Sequence, residues 1–180
     1  MIMTYQECVS KFGSDYKIKK ALEKKIIFQE ERGIYSTKPY VDELELIMHK
    51  YPHSVFTGES AFFFLSLTTV IPRYHYVSTK RNDTRIRDER VKQSFVKEDI
   101  FEQGIIQMQY DNADIRVYDM ERMLVELMRF RQSYSLDYYK EVIQSYRDRV
   151  YEMEFLQVEK YASMFKNHRQ IMDRIQLEVL

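Results

Sequence analysis

The stretch TYQECVSKFGSDYKIKKALEKKIIFQEERGIYS, residues 4–36, holds two helix starts, two glycine turns and a lysine row. Thr4-Tyr5-Gln6-Glu7 has the spacing of a capping box, in which the threonine hydroxyl and the glutamate carboxylate each satisfy an amide of the first helical turn. Tyr5, Cys8, Val9 and Phe12 follow at i, i+3, i+4 and i+7, one inward stripe of a short helix. Gly13 suits the left-handed position that ends a helix, and Ser14 caps the next one at once. In that second helix Ile18, Ala21 and Leu22 face inward. Tyr16, Lys17, Lys19, Lys20, Lys24 and Lys25 take the rest of the circumference. Strand-forming residues then flank Gly33 on both sides, IIFQE before and IYS after, which predicts a hairpin.

Two helices joined by a tight glycine turn, the second one basic and followed by a hairpin, have the order of a winged helix-turn-helix. Ser14, Tyr16 and Lys17 stand at the amino end of the second helix, where side chains reach base edges. Lys19, Lys20 and Lys24 are placed for phosphates, and Arg32 at the wing tip for a minor groove or phosphate. Glu30 and Glu31 beside Arg32 weaken the wing as a DNA contact. The same lysine row also fits an ordinary solvated helix face.

Across 180 residues the 28 basic and 28 acidic side chains cancel, so the chain is not coated in positive charge. Their distribution carries more. Residues 1–38 hold eight basic and five acidic side chains, residues 73–97 hold eight and three, and the remainder is acidic. Two local positive patches on an acidic background are the pattern of local nucleic-acid contact. The second patch comprises Lys80, Arg81, Arg85, Arg87, Arg90 and Lys92, in or beside an expected hairpin. It either extends a DNA footprint, faces an acidic or RNA-bearing target, or is an exposed loop whose cations protect strand edges. Asp83, Asp88 and Glu89 dilute it and favour the last reading.

Pro39 stops the hairpin, which places a domain boundary there: residues 1–38 as a small DNA-binding module and residues 39–180 as an α+β domain. Within the latter, helices are expected over 40–50, with Val41, Leu44, Ile47 and Met48 inward, and after Thr57. Strands are expected over 74–79, 91–97, 104–110 and 114–117. Asp119 then caps a helix with Met120, Met123, Leu124, Leu127 and Met128 on one face, and further helices fill 136–180. The expected architecture is a mixed α/β domain with a central sheet and carboxy-terminal helices.

No chemistry-bearing constellation stands out. His49 and His53 have zinc-pair spacing, but Pro52 between them interrupts a helix, and His75 and His168 are scattered. Asp114, Asp119, Glu121 and Glu126 resemble a nuclease-like acidic group only loosely, since Asp119 is accounted for as a cap and Glu121 suits the first turn of a helix. There is no phosphate-binding glycine loop, and Gly13-Ser14 lacks the downstream paired aspartates of a nucleotidyltransferase. Catalysis, a cofactor and a metal are therefore not expected. Cys8 reads as a buried structural thiol. No apolar run is long enough to span a bilayer and no leader-like apolar core is present, so no membrane partner and a cytoplasmic location are expected.

RGIYST at the hairpin, VFTGESAFFFLSLTTVIPRYHYVST, and IRVYDMERMLVELMRFR occur in that order across nearly the whole chain. Together they resemble the AbiEi family of antitoxins, from type IV toxin–antitoxin and abortive-infection systems. The resemblance implies an amino-terminal winged helix-turn-helix that binds double-stranded promoter DNA at inverted repeats, and an autorepressor of its own operon. It also implies a following domain with antitoxin activity against a nucleotidyltransferase-like toxin, in defence against phage. The alternative is an interaction protein that docks a toxin or other partner directly and binds no DNA.

Overall fold

A computed structural model describes residues 1–180, an α+β protein with two compact units. One comprises Met1–Pro52 with Asp111–Asp114, the other His53–Tyr110 with Ile115–Leu180. The expected division after residue 38 falls inside the first unit, because the helix at 43–50 belongs to it.

In the first unit, β1 (Ile2–Thr4) leads directly into α1 (Tyr5–Phe12) and α2 (Asp15–Glu23). The β2 strand (Phe28–Glu31), β3 (Ile34–Ser36) and α3 (Glu43–Lys50) follow. The capping box closes as the spacing requires: the Glu7 amide donates to Thr4 Oγ1 at 3.3 Å, and the Thr4 amide donates to Glu7 Oε2 at 2.6 Å. Gly13 is left-handed at φ 87°, and its amide bonds the Val9 carbonyl at 2.7 Å. The Ser14 hydroxyl accepts from the Lys17 amide at 3.4 Å, so α2 begins one residue after α1 is closed.

Two features differ from expectation. Residues 2–4, unassigned from the sequence, form β1 and pair antiparallel with β3, Met3 opposite Tyr35, giving a three-stranded sheet in the order β1-β3-β2. Tyr5, expected inward, is exposed, because its hydroxyl donates to the Asp15 carboxylate at the start of α2. The core of this unit is Met3, Cys8, Ile18, Ala21, Ile27 and Tyr35, with Val9, Phe12 and Leu22 packed against it.

The second unit is built on a mixed five-stranded sheet of β4 (Val55–Phe56), β5 (His75–Lys80), β6 (Val91–Val96), β7 (Ile105–Tyr110) and β8 (Ala113–Tyr118, in this unit from Ile115 on), in the order β6-β5-β4-β8-β7. Its helices are α4 (Gly58–Phe64), α5 (Glu98–Phe101), α6 (Met120–Arg129), α7 (Leu136–Asp148), α8 (Phe155–Ser163) and α9 (His168–Glu178). Asp119 caps α6, accepting from the Arg122 amide at 2.7 Å. That helix is buried on nearly all sides, from Arg122 to Met128, with α4, α8 and α9 packed around it. Met123, Leu124, Leu127 and Met128 form its apolar face, and its two buried charges, Arg122 and Glu126, pair with each other.

The expected hairpin within 73–97 is absent. The β5 and β6 strands run parallel, His75 opposite Val91 through Lys80 opposite Val96. The ten residues between them are long enough to return the chain along a six-residue strand, at about 3.3 Å per extended residue. The Gln93 side chain supports that return. It accepts from the Ile86 amide at 2.7 Å and donates to Thr79 Oγ1 at 2.7 Å and to the Thr84 carbonyl at 3.2 Å.

Candidate nucleic-acid interface

The α2 helix buries Ile18 and Ala21 and turns the opposite side to solvent. At 3.6 residues per turn, Lys17, Lys20 and Lys24 fall within about 60° of one another and extend about 10 Å along the axis. All three are exposed. None of Lys17, Lys19, Lys20, Lys24 or Arg32 makes an ion pair, whereas Lys38 pairs with Glu45 at 3.6 Å and Lys50 with Glu31 at 2.8 Å. The outward row of α2 is therefore a run of uncompensated cations. Tyr16, 65% exposed, lies under the Lys20 ammonium, 4.6 Å from its ring centroid. That contact orders both side chains on the outer face without neutralising the charge. Lys19 and Glu23 share the other flank. Lys25 lies past the end of the helix at φ 54° and does not extend the row.

Ser14 has its hydroxyl engaged as the α2 cap, so Tyr16 and Lys17 are the side chains at this end with polar groups free to face outward. Lys17 leans back over the turn, its Nζ 3.9 Å from the place a Cβ on Gly13 would occupy. The acid nearest this end, Asp15, is held by the Tyr5 hydroxyl.

The hairpin resolves the acidic crowding around Arg32. A bulge between Gln29 and Glu31 shifts the register of β2 against β3, and Glu30 accepts a hydrogen bond from the Ser36 hydroxyl at 2.9 Å. Glu31 is bound to Lys50. Both carboxylates are tied to their own unit, and Arg32 stands exposed beside Gly33 at the tip, where φ is 80°. A bulge of this kind re-aims side chains that strict alternation would place elsewhere.

The second basic segment is divided by its surroundings. Lys80 bridges Glu98 at 3.4 Å and Glu102 at 2.9 Å, which raise its pKa above the ordinary lysine value. Arg90 is bound to Asp88 through its backbone amide, Nε and Nη2. Lys92 sits 4.3 Å from the Tyr74 ring centroid. Arg81, Arg85, Arg87 and Lys92 are exposed with no ion pair, whereas Lys80 and Arg90 are neutralised. The six residues do not form one surface of free charge.

Of the acidic residues considered for metal chemistry, Asp119, Glu121 and Glu126 have structural work, and Asp114 is exposed. Asp119 accepts from the Arg122 amide on one oxygen and from the Tyr161 hydroxyl at 2.8 Å on the other, and burial pushes its pKa up. Glu121 accepts from the Glu154 amide at 3.0 Å. No three or more histidine, cysteine or acidic side chains converge as a metal site. Cys8 is fully buried. No helix is long and apolar enough to cross a membrane.

One charged cluster in the second unit was not legible as a site. Arg122 is wholly buried and donates through Nε at 3.0 Å and Nη2 at 2.7 Å to Glu126 Oε1, while Arg129 donates to Glu126 Oε2. The spacing of 122, 126 and 129 is that of ion pairs along one helix. What it lacked was any sign that Lys97 and Lys166, distant in sequence, line the same hollow. Comparison of the chain with protein-family models and with curated protein sequences finds no match.

Proposed function

We propose that the chain is a DNA-binding autorepressor and antitoxin whose first unit works as a winged helix-turn-helix. The observation that carries this reading is the uncompensated row of Lys17, Lys20 and Lys24 on the exposed side of α2, next to a hairpin whose acids are tied back and whose tip bears a free Arg32. A helix of this kind lies in a major groove with its amino end toward the bases, so Tyr16 and Lys17 meet base edges. Lys20 and Lys24 neutralise phosphates, which gives affinity and register without sequence information. Arg32 meets the sugar–phosphate backbone beside the groove. The resemblance to AbiEi antitoxins, noted from the order of three segments, supports promoter DNA with inverted repeats as the target. On the same ground the second unit supplies the action against a nucleotidyltransferase-like toxin.

The test is a mobility-shift titration on the chain's own promoter with Lys17, Lys20 and Lys24 replaced together by alanine. None of the three packs into the core, so the variant folds. Loss of the shift with unchanged circular dichroism is expected. Unchanged binding sinks the proposal, and co-purification with the neighbouring gene product without any DNA shift favours a protein that only docks its partner.

A further inference from the structure

Two adjoining hollows lie within the second unit, where the β5–β6 side of the sheet meets α6 and the segment after it. Their volumes are about 360 and 350 Å³, and they share Thr57, Ser94, Glu126 and Phe130. Each falls in the range of small-molecule sites. Their chemistry differs sharply.

The second hollow is cationic. Lys97, Arg122, Arg129 and Lys166 line it against a single acid, Glu126. Both oxygens of that carboxylate are already occupied, one by Arg122 and the other by Arg129. Arg122 balances the Glu126 charge from below, so Arg129 is the surplus cation. Its guanidinium lies 3.6 Å from the Phe165 ring centroid and spends one N–H on Glu126, leaving Nε and the other amino group without a partner. A guanidinium seated over an aromatic ring with donors unspent is pre-organised for a planar or tetrahedral oxyanion. Ser78 and Ser94, paired across β5 and β6 at 2.9 Å between their oxygens, add hydroxyls at the same place.

The first hollow is not cationic. Glu59 and Glu126 face one cation, Lys92, and the remaining walls are Tyr76, Tyr134 and Phe130 with the amide of Gln93 and the hydroxyl of Ser133. Aromatic faces with neutral and acidic hydrogen-bonding groups suit a flat heterocycle and a sugar, not a second anion.

We infer that the joined hollows form a binding site for a mononucleotide, with its phosphate on Arg129, Lys97 and Lys166 and its base and ribose against Tyr76, Tyr134 and Phe130. This site is independent of the DNA-binding reading of the first unit and stands or falls without it. An acidic peptide would satisfy the cationic hollow but has no use for the aromatic one.

The test is isothermal titration of the full chain, at low salt, with the four ribonucleoside 5′-monophosphates. Uridine, adenosine and inorganic phosphate run as separate arms. At least one nucleotide is expected to bind saturably at one site per chain, tenfold or more tighter than its nucleoside or inorganic phosphate. Arg129→Ala, and separately the exposed pair Lys97→Ala with Lys166→Ala, are each expected to weaken that binding about tenfold or more, as the loss of charge-assisted hydrogen bonds requires. The lysine pair decides the matter if Arg129→Ala fails to fold. Phe130→Ala is expected to weaken the nucleotide while leaving inorganic phosphate unchanged. No saturable binding of any nucleotide at millimolar concentration overturns the proposal. So does binding that ignores the lysine pair, or inorganic phosphate binding as tightly as every nucleotide.

Discussion

Replacing Glu126 by alanine removes the only acid that holds Arg122. The Arg122 side chain has no exposure and that of Glu126 only 10%, so neither water nor another carboxylate takes over. Of the three bonds made by the guanidinium, two end on Glu126, and one, from Nη1 to the Ile100 carbonyl at 3.1 Å, survives. A buried cation stripped of its partner costs about 3–5 kcal/mol. With a urea dependence of about 2 kcal/mol per molar, the unfolding midpoint falls by about 2 M. The double change Arg122→Met with Glu126→Leu removes both charges and fills similar volume, and it recovers most of the loss. Lys38→Ala breaks a pair at 3.6 Å whose lysine side chain is 54% exposed, and it costs less than about 1 kcal/mol. Urea unfolding followed by circular dichroism measures all three variants. A Glu126→Ala cost no larger than that of Lys38→Ala refutes the reasoning, as does a double variant as unstable as the single one.

Two of the left-handed glycines, at 33 and 104, separate strain from crowding. Both have φ near 80°, but a Cβ on Gly104 meets Arg122 Cβ at 2.8 Å and both Asp119 carboxylate oxygens at 3.2 Å, whereas one on Gly33 meets nothing within 4 Å. Gly33→Ala is expected to cost about 1–2 kcal/mol for the backbone alone. Gly104→Ala adds overpacking against a buried side chain and should cost about 3 kcal/mol or more. Equal costs in thermal unfolding contradict this. The Glu7 carboxyl is held below its ordinary value of 4.5 by the Thr4 amide and then by the Thr4 hydroxyl. Because the folded value is the lower one, the capping contribution is complete above pH 4.5 and disappears as pH falls through the folded value. The Thr4 amide proton is therefore expected to titrate with a midpoint below 4.5, and a midpoint at or above it rules out the capping box in solution.

Local signals were the readable part of this chain. Thr4, Gly13, Ser14, Gly33 and Asp119 act on neighbours within four residues, so their spacing alone placed the caps and turns that the structure contains. Non-local pairing was not readable. Residues 2–4, which run into the capping box, carry no strand pattern of their own, and β1 exists because β3, about thirty residues on, offers an open edge. Parallel and antiparallel strands show the same alternation, so 74–79 and 91–97 were placed correctly as strands and wrongly as a hairpin. Tyr5 fitted the apolar stripe by position, but its hydroxyl had a better partner in Asp15 outside it. At the hairpin tip, composition suggested that Glu30 and Glu31 oppose Arg32. Their bonds to Ser36 and Lys50 depend on a bulge and on α3, neither of which short-range spacing encodes.

The central claim is that Lys20 and Lys24 bind DNA as phosphate-directed cations, with Lys17 beside them at the base edges. Each neutralised phosphate contributes about 0.9 to the slope of log affinity against log salt. For the promoter fragment, the triple alanine variant is predicted to lower that slope by about 1.8, for two phosphates. A fourfold rise in salt weakens the native protein by about 12-fold through these two contacts, a penalty the variant does not carry. A slope unchanged by the triple replacement, with the first unit still folded, contradicts the account.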